Sequence, residues 1–352
     1  MKKVKIMLAL LISIFLIMAF CGPSFAADKG LIVYSVCWTE DPFWVASADA
    51  AKAVIEANGY EGKIMNANND NMTQVNQISD AIALQPAGII ISAVDSLGVL
   101  SAVKEVQDAN IPVAVIVRTI QEAGKIDITA DADMFGIGQK AAINTLNLLY
   151  SRYGTYKGTV LEIMGALIDN ATVNFHGGFS SIMEKFPGVI VVAKEATDWS
   201  FEKAANIAED WLTVNPDTDL IFSHSDWLTQ AIPPVLKRLG YGPAGEDNHV
   251  FVVSSGAMPF GLPFVRTGYI DMTTEVPTLK VSKMAAYWVC QIAQGNEIPD
   301  EVNLFEPGLS VKMIDVKVPV LEKSWGKHIS IPPAVVTMKN VDDPSLWGNI
   351  YK

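Results

Sequence analysis

Cysteine is scarce in this chain: three in 352 residues. So few exclude a disulfide framework and a zinc site built on paired thiolates. The four histidines, His176, His224, His249 and His328, show no metal-ligand spacing. Basic residues are also in short supply, 26 against 38 acidic ones. Such a balance excludes a nucleic-acid partner, whose phosphates demand a basic face. The loops that mark common enzymes are missing too. There is no G-x-x-x-x-G-K-[ST], no G-x-G-x-x-G after the first strand-like run, no H-E-x-x-H and no G-x-S-x-G. After the first twenty residues no apolar run is long enough to cross a membrane.

The first 26 residues read as a leader. Lys2, Lys3 and Lys5 precede an apolar run from Ile6 to Phe20, and Ser24-Phe25-Ala26 offers small residues for cleavage. This run is too short for a spanning helix and fits a secretory signal. Cys21 raises a lipid anchor as the less favoured outcome, because Phe20 stands before it where a small residue is normal. The expected location is the periplasm. Cys37 and Cys290 remain and read as two free core thiols.

From residue 30 the chain alternates. Short β-branched runs such as Leu31–Val36, Ala87–Ile91 and Ile111–Val117 are separated by helix-forming stretches. The pattern restarts with Ile126–Thr129 and Gly158–Met164 and continues to strands near 249–254 and 269–274. Continuous apolar strands between helices imply parallel sheets covered on both faces. The fold class is therefore α/β, with two doubly wound parallel-sheet domains in tandem. The tail, with Pro319, Pro332, Pro333 and Pro344, is expected to lie ordered against a domain surface.

Polar and aromatic residues recur where these strands end, the place at which open α/β sheets bind ligands. Asp41-Pro42-Phe43-Trp44 follows the first strand and opens a helix: aspartate caps, and proline is tolerated at the first helical position. Arg118 follows the fourth strand, and its fork of donors suits hydroxyls. Asp198-Trp199 repeats the carboxylate-aromatic pair in the second half, Ser225-Asp226-Trp227 follows Leu220-Ile221-Phe222, and Glu275 follows Met272-Thr273-Thr274. Singly, each fits a cap, a salt bridge or core filler. Jointly they point to a ligand cleft between two domains, with aromatic faces for C–H groups and polar groups for hydroxyls.

In their order, these stretches resemble the ribose-type periplasmic sugar-binding proteins, the solute receptors of carbohydrate ABC importers. The similarity runs from about residue 30 to 312. It implies a type I periplasmic binding protein, with two lobes joined by a three-strand hinge. The lobes would be 27–130 plus 275–308 and 131–274 plus 309–352, with crossings near 130–133, 274–276 and 306–311. It also implies no enzymatic activity and no cofactor, a monosaccharide or sugar-like polyol as ligand, a membrane permease as partner and a monomer as the working form. By position, Phe43, Trp44 and Trp199 would sandwich the ligand, and Arg118 would clamp hydroxyls. Ser225 and Asp226 match a polar pair, Asp41 stands where asparagine is usual, and Glu275 where glutamine is common. Asn174, beside Val173, stands where a second arginine is expected, and Ser254-Ser255-Gly256 replaces a frequent aspartate. These departures point away from ribose itself. The competing readings are a sugar sensor signalling to a chemotaxis or kinase partner, which would read the same closed form, and an exported α/β enzyme, which would need a nucleophile–base pair or metal site.

Overall fold

The computed structural model describes residues 29–193 and 196–351. The leader, with Cys21, lies outside these residues. Cys37 and Cys290 are both buried and unpaired.

The first lobe is built from β1 (Leu31–Val36), α1 (Pro42–Ala57), β2 (Glu61–Asn66), α2 (Asn71–Ala83), β3 (Gly88–Ile91), α3 (Leu100–Asp108), β4 (Val113–Ile116) and β5 (Ile126–Asp131). The second holds α4 (Met134–Tyr153), β6 (Gly158–Ile163), α5 (Asn170–Met183), β7 (Val189–Ala193), α6 (Phe201–Val214) and β8 (Leu220–Ser223). It continues with α7 (Asp226–Thr229), α8 (Ile232–Arg238), β9 (Phe251–Gly256), α9 (Leu262–Arg266) and β10 (Met272–Glu275). The chain then returns through α10 (Thr278–Ala293), β11 (Glu301–Phe305), β12 (Met313–Lys323) and β13 (Gly326–Ser330), and ends with β14 (Val335–Val336) and α11 (Trp347–Ile350).

Two sheets result, ordered β11-β12-β13-β5-β4-β3-β1-β2 and β14-β10-β9-β8-β6-β7. Every strand pair from β1 to β10 is parallel. Strands such as β3 and β4 are wholly buried because helices cover both faces. In each sheet the order reverses beside the first strand, β1 between β2 and β3, and β6 between β7 and β8. Loops part at such a switch point and leave a crevice.

One local device recurs at the strand ends. Asp41, Asp70, Asp133, Asp169, Ser200 and Ser225 each accept a backbone N–H from the first turn of the next helix. These caps satisfy donors that a helix start leaves free. They also fix which side chains face the crevice.

The return of the chain departs from the sequence expectation. β12 and β13 join the first sheet, β13 pairing in parallel with β5, so 313–330 lies on the first lobe and not the second. The third crossing runs through 331–334, not 306–311. The 306–311 loop is held to the first lobe by the buried Lys283, whose Nζ donates to the carbonyls of Glu306, Gly308 and Ser310 at 2.8–3.0 Å. Burial lowers the Lys283 pKa to about 8. Helices α7 and α8 are separate, because Pro233 and Pro234 restart the helix after Ala231.

Candidate functional site

Between the lobes lies a cavity with about 470 Å³ of space free of protein atoms, part of it open to solvent. The first lobe contributes Trp38, Asp41, Phe43, Trp44, Val117 and Arg118; the second contributes Asp169, Trp199, His224, Ser225 and Ser255 among others. The lobes touch around it. Trp38 meets Trp227 edge-on at 5.8 Å, Thr119 Oγ1 donates to Asn170 Oδ1 at 2.7 Å, and Ser96 N donates to the Ile168 carbonyl at 3.1 Å.

Three cavity residues, Asp41, Asp169 and Ser225, are the N-caps of α1, α5 and α7. Asp41 Oδ1 accepts from Phe43 N at 2.9 Å, which turns Phe43 and Trp44 into the wall. Burial pushes the Asp41 carboxyl up to about 7; the Phe43 N–H and Arg118 oppose this and Asp226 adds to it.

Arg118 is 3% exposed. Its Nε pairs with Asp169 Oδ2 at 2.8 Å, and its Nη1 donates to the Ala93 carbonyl at 2.9 Å. The guanidinium lies 5.1 Å from the centre of the Trp44 ring and 5.9 Å from that of Trp199, within cation–π range of both. Trp199 is fixed by a bond from its Nε1 to Asp169 Oδ2 at 3.1 Å, and its carbonyl accepts from Trp227 Nε1 at 2.8 Å. Burial raises the Asp169 pKa, against the pull of Arg118, Ala171 N and Trp199. Val117 and Trp199 hold positive φ values of 65° and 63°, costly for bulky residues and of the kind that gathers at binding sites.

Six of the nine residues expected from sequence line the cavity together: Asp41, Phe43, Trp44, Arg118, Trp199 and Ser225. Three do not. Asp226 is fully buried beneath the floor, its carboxylate taken by Ser254 Oγ, Thr273 Oγ1 and Met258 N at 2.6, 3.0 and 2.8 Å; burial raises it to about 6 despite these donors. Glu275 faces the tail, where its Oε1 accepts from Trp347 N at 3.2 Å. Asn174 donates to Asn170 Oδ1 and borders a separate hollow by the hinge, with Asp131 and His328. Asp198 is a further correction: it pairs with Lys203 at the surface, so the carboxylate partner of Trp199 is Asp169.

Residues that sequence reasoning missed supply the open polar atoms. Trp38 Nε1, His224 Nδ1 and Ser255 Oγ are buried, have no protein partner and belong to cavity-lining residues. Buried polar groups are rarely left so, and three in one hollow mark a place for a ligand or ordered water that returns those bonds. The signal for Asp169 was present as Asp169-Asn170-Ala171 behind a strand, the same cap arrangement as Asp41-Pro42-Phe43. None existed for Trp38, and the stretch holding Ser255 marked only the place of a missing aspartate.

A two-lobed α/β fold with an aromatic-walled cleft at two switch points is the architecture of a solute-binding protein. The chain belongs to the periplasmic binding protein domain family, whose model matches residues 32–297. It is a binding protein and not an enzyme. It is 27% identical over 215 residues to a D-apiose import binding protein of Actinobacillus succinogenes, covering 61% of this chain and 67% of that one. It is 24% identical to the multiple sugar-binding periplasmic receptor ChvE of Rhizobium radiobacter, over 95% and 94% of the two chains. A solute binding protein from Bacillus halodurans with bound myo-inositol superposes with a TM-score of 0.75 at 20% identity, covering 91% of this chain and 98% of that one. No helix of the described residues is long and apolar enough to cross a membrane.

Proposed function

We infer that the chain captures a neutral monosaccharide or polyol in the interlobe cavity and presents its closed form to the permease of an ABC importer. The observation that carries the choice of ligand is the charge balance of the site. The only cation lining the cavity among the described residues, Arg118, is already paired with Asp169 across the lobes. Asp41, raised to about 7, is mostly uncharged only below that pH. An amino acid would need a free cation for its carboxylate, and none is on offer. Hydroxyl groups suit the unpartnered Trp38, His224 and Ser255 atoms, and the rings of Phe43, Trp44 and Trp199 suit the C–H faces of a sugar. Names among the relatives, which include D-apiose and xylitol receptors, point the same way. Export by the leader, a monomeric state and delivery to a permease complete this reading.

The test is a thermal-shift screen with sugars, polyols and amino acids. A ligand at about 100 times its dissociation constant adds roughly 2.7 kcal/mol to stability. A shift with a pentose, hexose or cyclitol is expected. A shift with an amino acid alone would refute the assignment.

A further inference from the structure

His224 stands at the end of β8 and is 1% exposed. Its Nε2 lies 2.9 Å from Glu162 Oε1. Glu162 is fully buried on β6, and both its oxygens also lie 3.0 Å from His176 Nδ1. Burial alone would raise the Glu162 pKa, but hydrogen bonds from His176 and His224 overcome it and hold the group below its ordinary value. A carboxylate accepts and cannot donate. Both facing ring nitrogens must therefore carry protons, so a His224 ring that holds a single proton is the Nε2–H tautomer. Its Nδ1 is then a bare lone pair, buried and without a protein partner. The ring packs against Phe175 and Phe222, with ring centres 5.5 and 5.2 Å away.

We propose that His224 Nδ1 is a specificity-determining acceptor for one ligand hydroxyl, set in that role by Glu162 as a positioning residue. Trp38 Nε1 can only donate and so asks for a ligand oxygen as acceptor, while Ser255 Oγ serves either way. Together they read the direction of hydroxyl hydrogen bonds as well as hydroxyl positions. The hydroxyl facing His224 must be free: a deoxy or O-methyl analogue at that carbon leaves the lone pair unmet. This deepens the sugar or polyol reading and rests on it.

Two measurements test it. In the wild-type protein at neutral pH, ¹⁵N NMR of histidine-labelled chain should show His224 as the Nε2–H tautomer with an unprotonated Nδ1, and Glu162→Gln should change that signature. A His224 protonated on Nδ1 overturns the proposal whatever the ligand proves to be, and an unchanged tautomer in Glu162→Gln removes Glu162 from its role. Affinities are then compared for the best binder from a panel of myo-inositol, D-arabinose, D-allose and xylitol, and for its monodeoxy analogues. His224→Phe keeps an aromatic ring beside Phe175 and Phe222 and removes the Nδ1 acceptor, while His176 still faces Glu162. One analogue should bind wild type at least about tenfold more weakly than the parent, and His224→Phe should bind both alike. If the parent binds wild type and His224→Phe with the same affinity, the acceptor role is refuted while the sugar reading stands. If no panel member binds wild type, that reading falls first, and the tautomer still decides the state of His224.

Discussion

Arg118 and Asp169 form a buried ion pair, Nε to Oδ2 at 2.8 Å, between opposite lobes. Each is at most 3% exposed, so the contact exists only while the cleft is shut. Removing one partner of a buried pair strands the other charge, at a cost of about 3–5 kcal/mol if the surroundings stay closed. Opening the lobes rehydrates Arg118 and avoids that cost. Asp169→Ala should therefore shift the protein towards an open form, seen as a larger radius of gyration in solution scattering, with ligand affinity down at least about tenfold. Asp169→Asn keeps a residue able to cap α5 and separates the cap from the charge. Unchanged scattering and affinity in Asp169→Ala would show that the pair does not hold the lobes together.

Gly165 lies behind the Trp199 ring. A Cβ there would stand 2.4 Å from one ring carbon and 2.5 Å from Thr172 Oγ1, closer than atoms approach. Gly165→Ala should push Trp199 out of the wall without touching ligand itself. The expected result is a loss of affinity of about tenfold, comparable to Trp199→Ala, with a smaller loss of stability than a cavity-forming change. Wild-type affinity in both variants would remove Trp199 from the site.

The sequence made the alternation of strands and helices legible because buried parallel strands and their helices carry distinct periods. It also made Asp41, Phe43, Trp44, Arg118, Trp199 and Ser225 legible, because each lies in the segment that follows a strand or in the first turn of the helix beyond it. Asp226 and Glu275 looked alike on that criterion, yet their carboxylates turn towards Ser254 and Thr273, and towards Trp347. Position in the chain fixes the backbone; the side chain's direction depends on donors tens of residues away. For the same reason His224, next to a predicted residue, was read only as spacing-poor histidine, since Glu162 is 62 residues distant. The Pro-rich tail hid β13, whose parallel place beside β5 is set by a partner nearly 200 residues earlier.

The Asp41 carboxyl gives a pH dependence with a definite sign. Its folded value of about 7 lies above the ordinary 3.8, so the folded state holds the proton more tightly than the unfolded one. Stability from this group is complete below about pH 4, falls as pH rises through 4 to 7, and stays lost above that. Asp41→Asn keeps a good cap residue and removes the titration. Denaturant midpoints should show the variant more stable than wild type at pH 8, by up to a few kcal/mol, and the gap closing near pH 4. Some slope remains in the variant, because Asp226 titrates in an overlapping window. A gap independent of pH would mean that the Asp41 carboxyl is not raised.

The tail reaches back to the binding wall. Trp347 is 2% exposed; its Nε1 donates to the Gly256 carbonyl at 2.7 Å, and its ring meets Phe43 edge-on at 5.8 Å. Gly256 and Phe43 line the cavity from opposite lobes, so one tail residue braces both. Close packing continues at Gly348, where a Cβ would fall 2.2 Å from the Ala257 carbonyl oxygen. Trp347→Ala should cost about 3–5 kcal/mol of stability, as large-to-small changes in a core do. A tail that only stabilised the fold would leave the folded fraction binding ligand as wild type does. Because the Phe43 ring loses its backing, calorimetric titration well below the melting temperature should show a severalfold weaker affinity as well. Equal affinities at that temperature would confine Trp347 to stability alone.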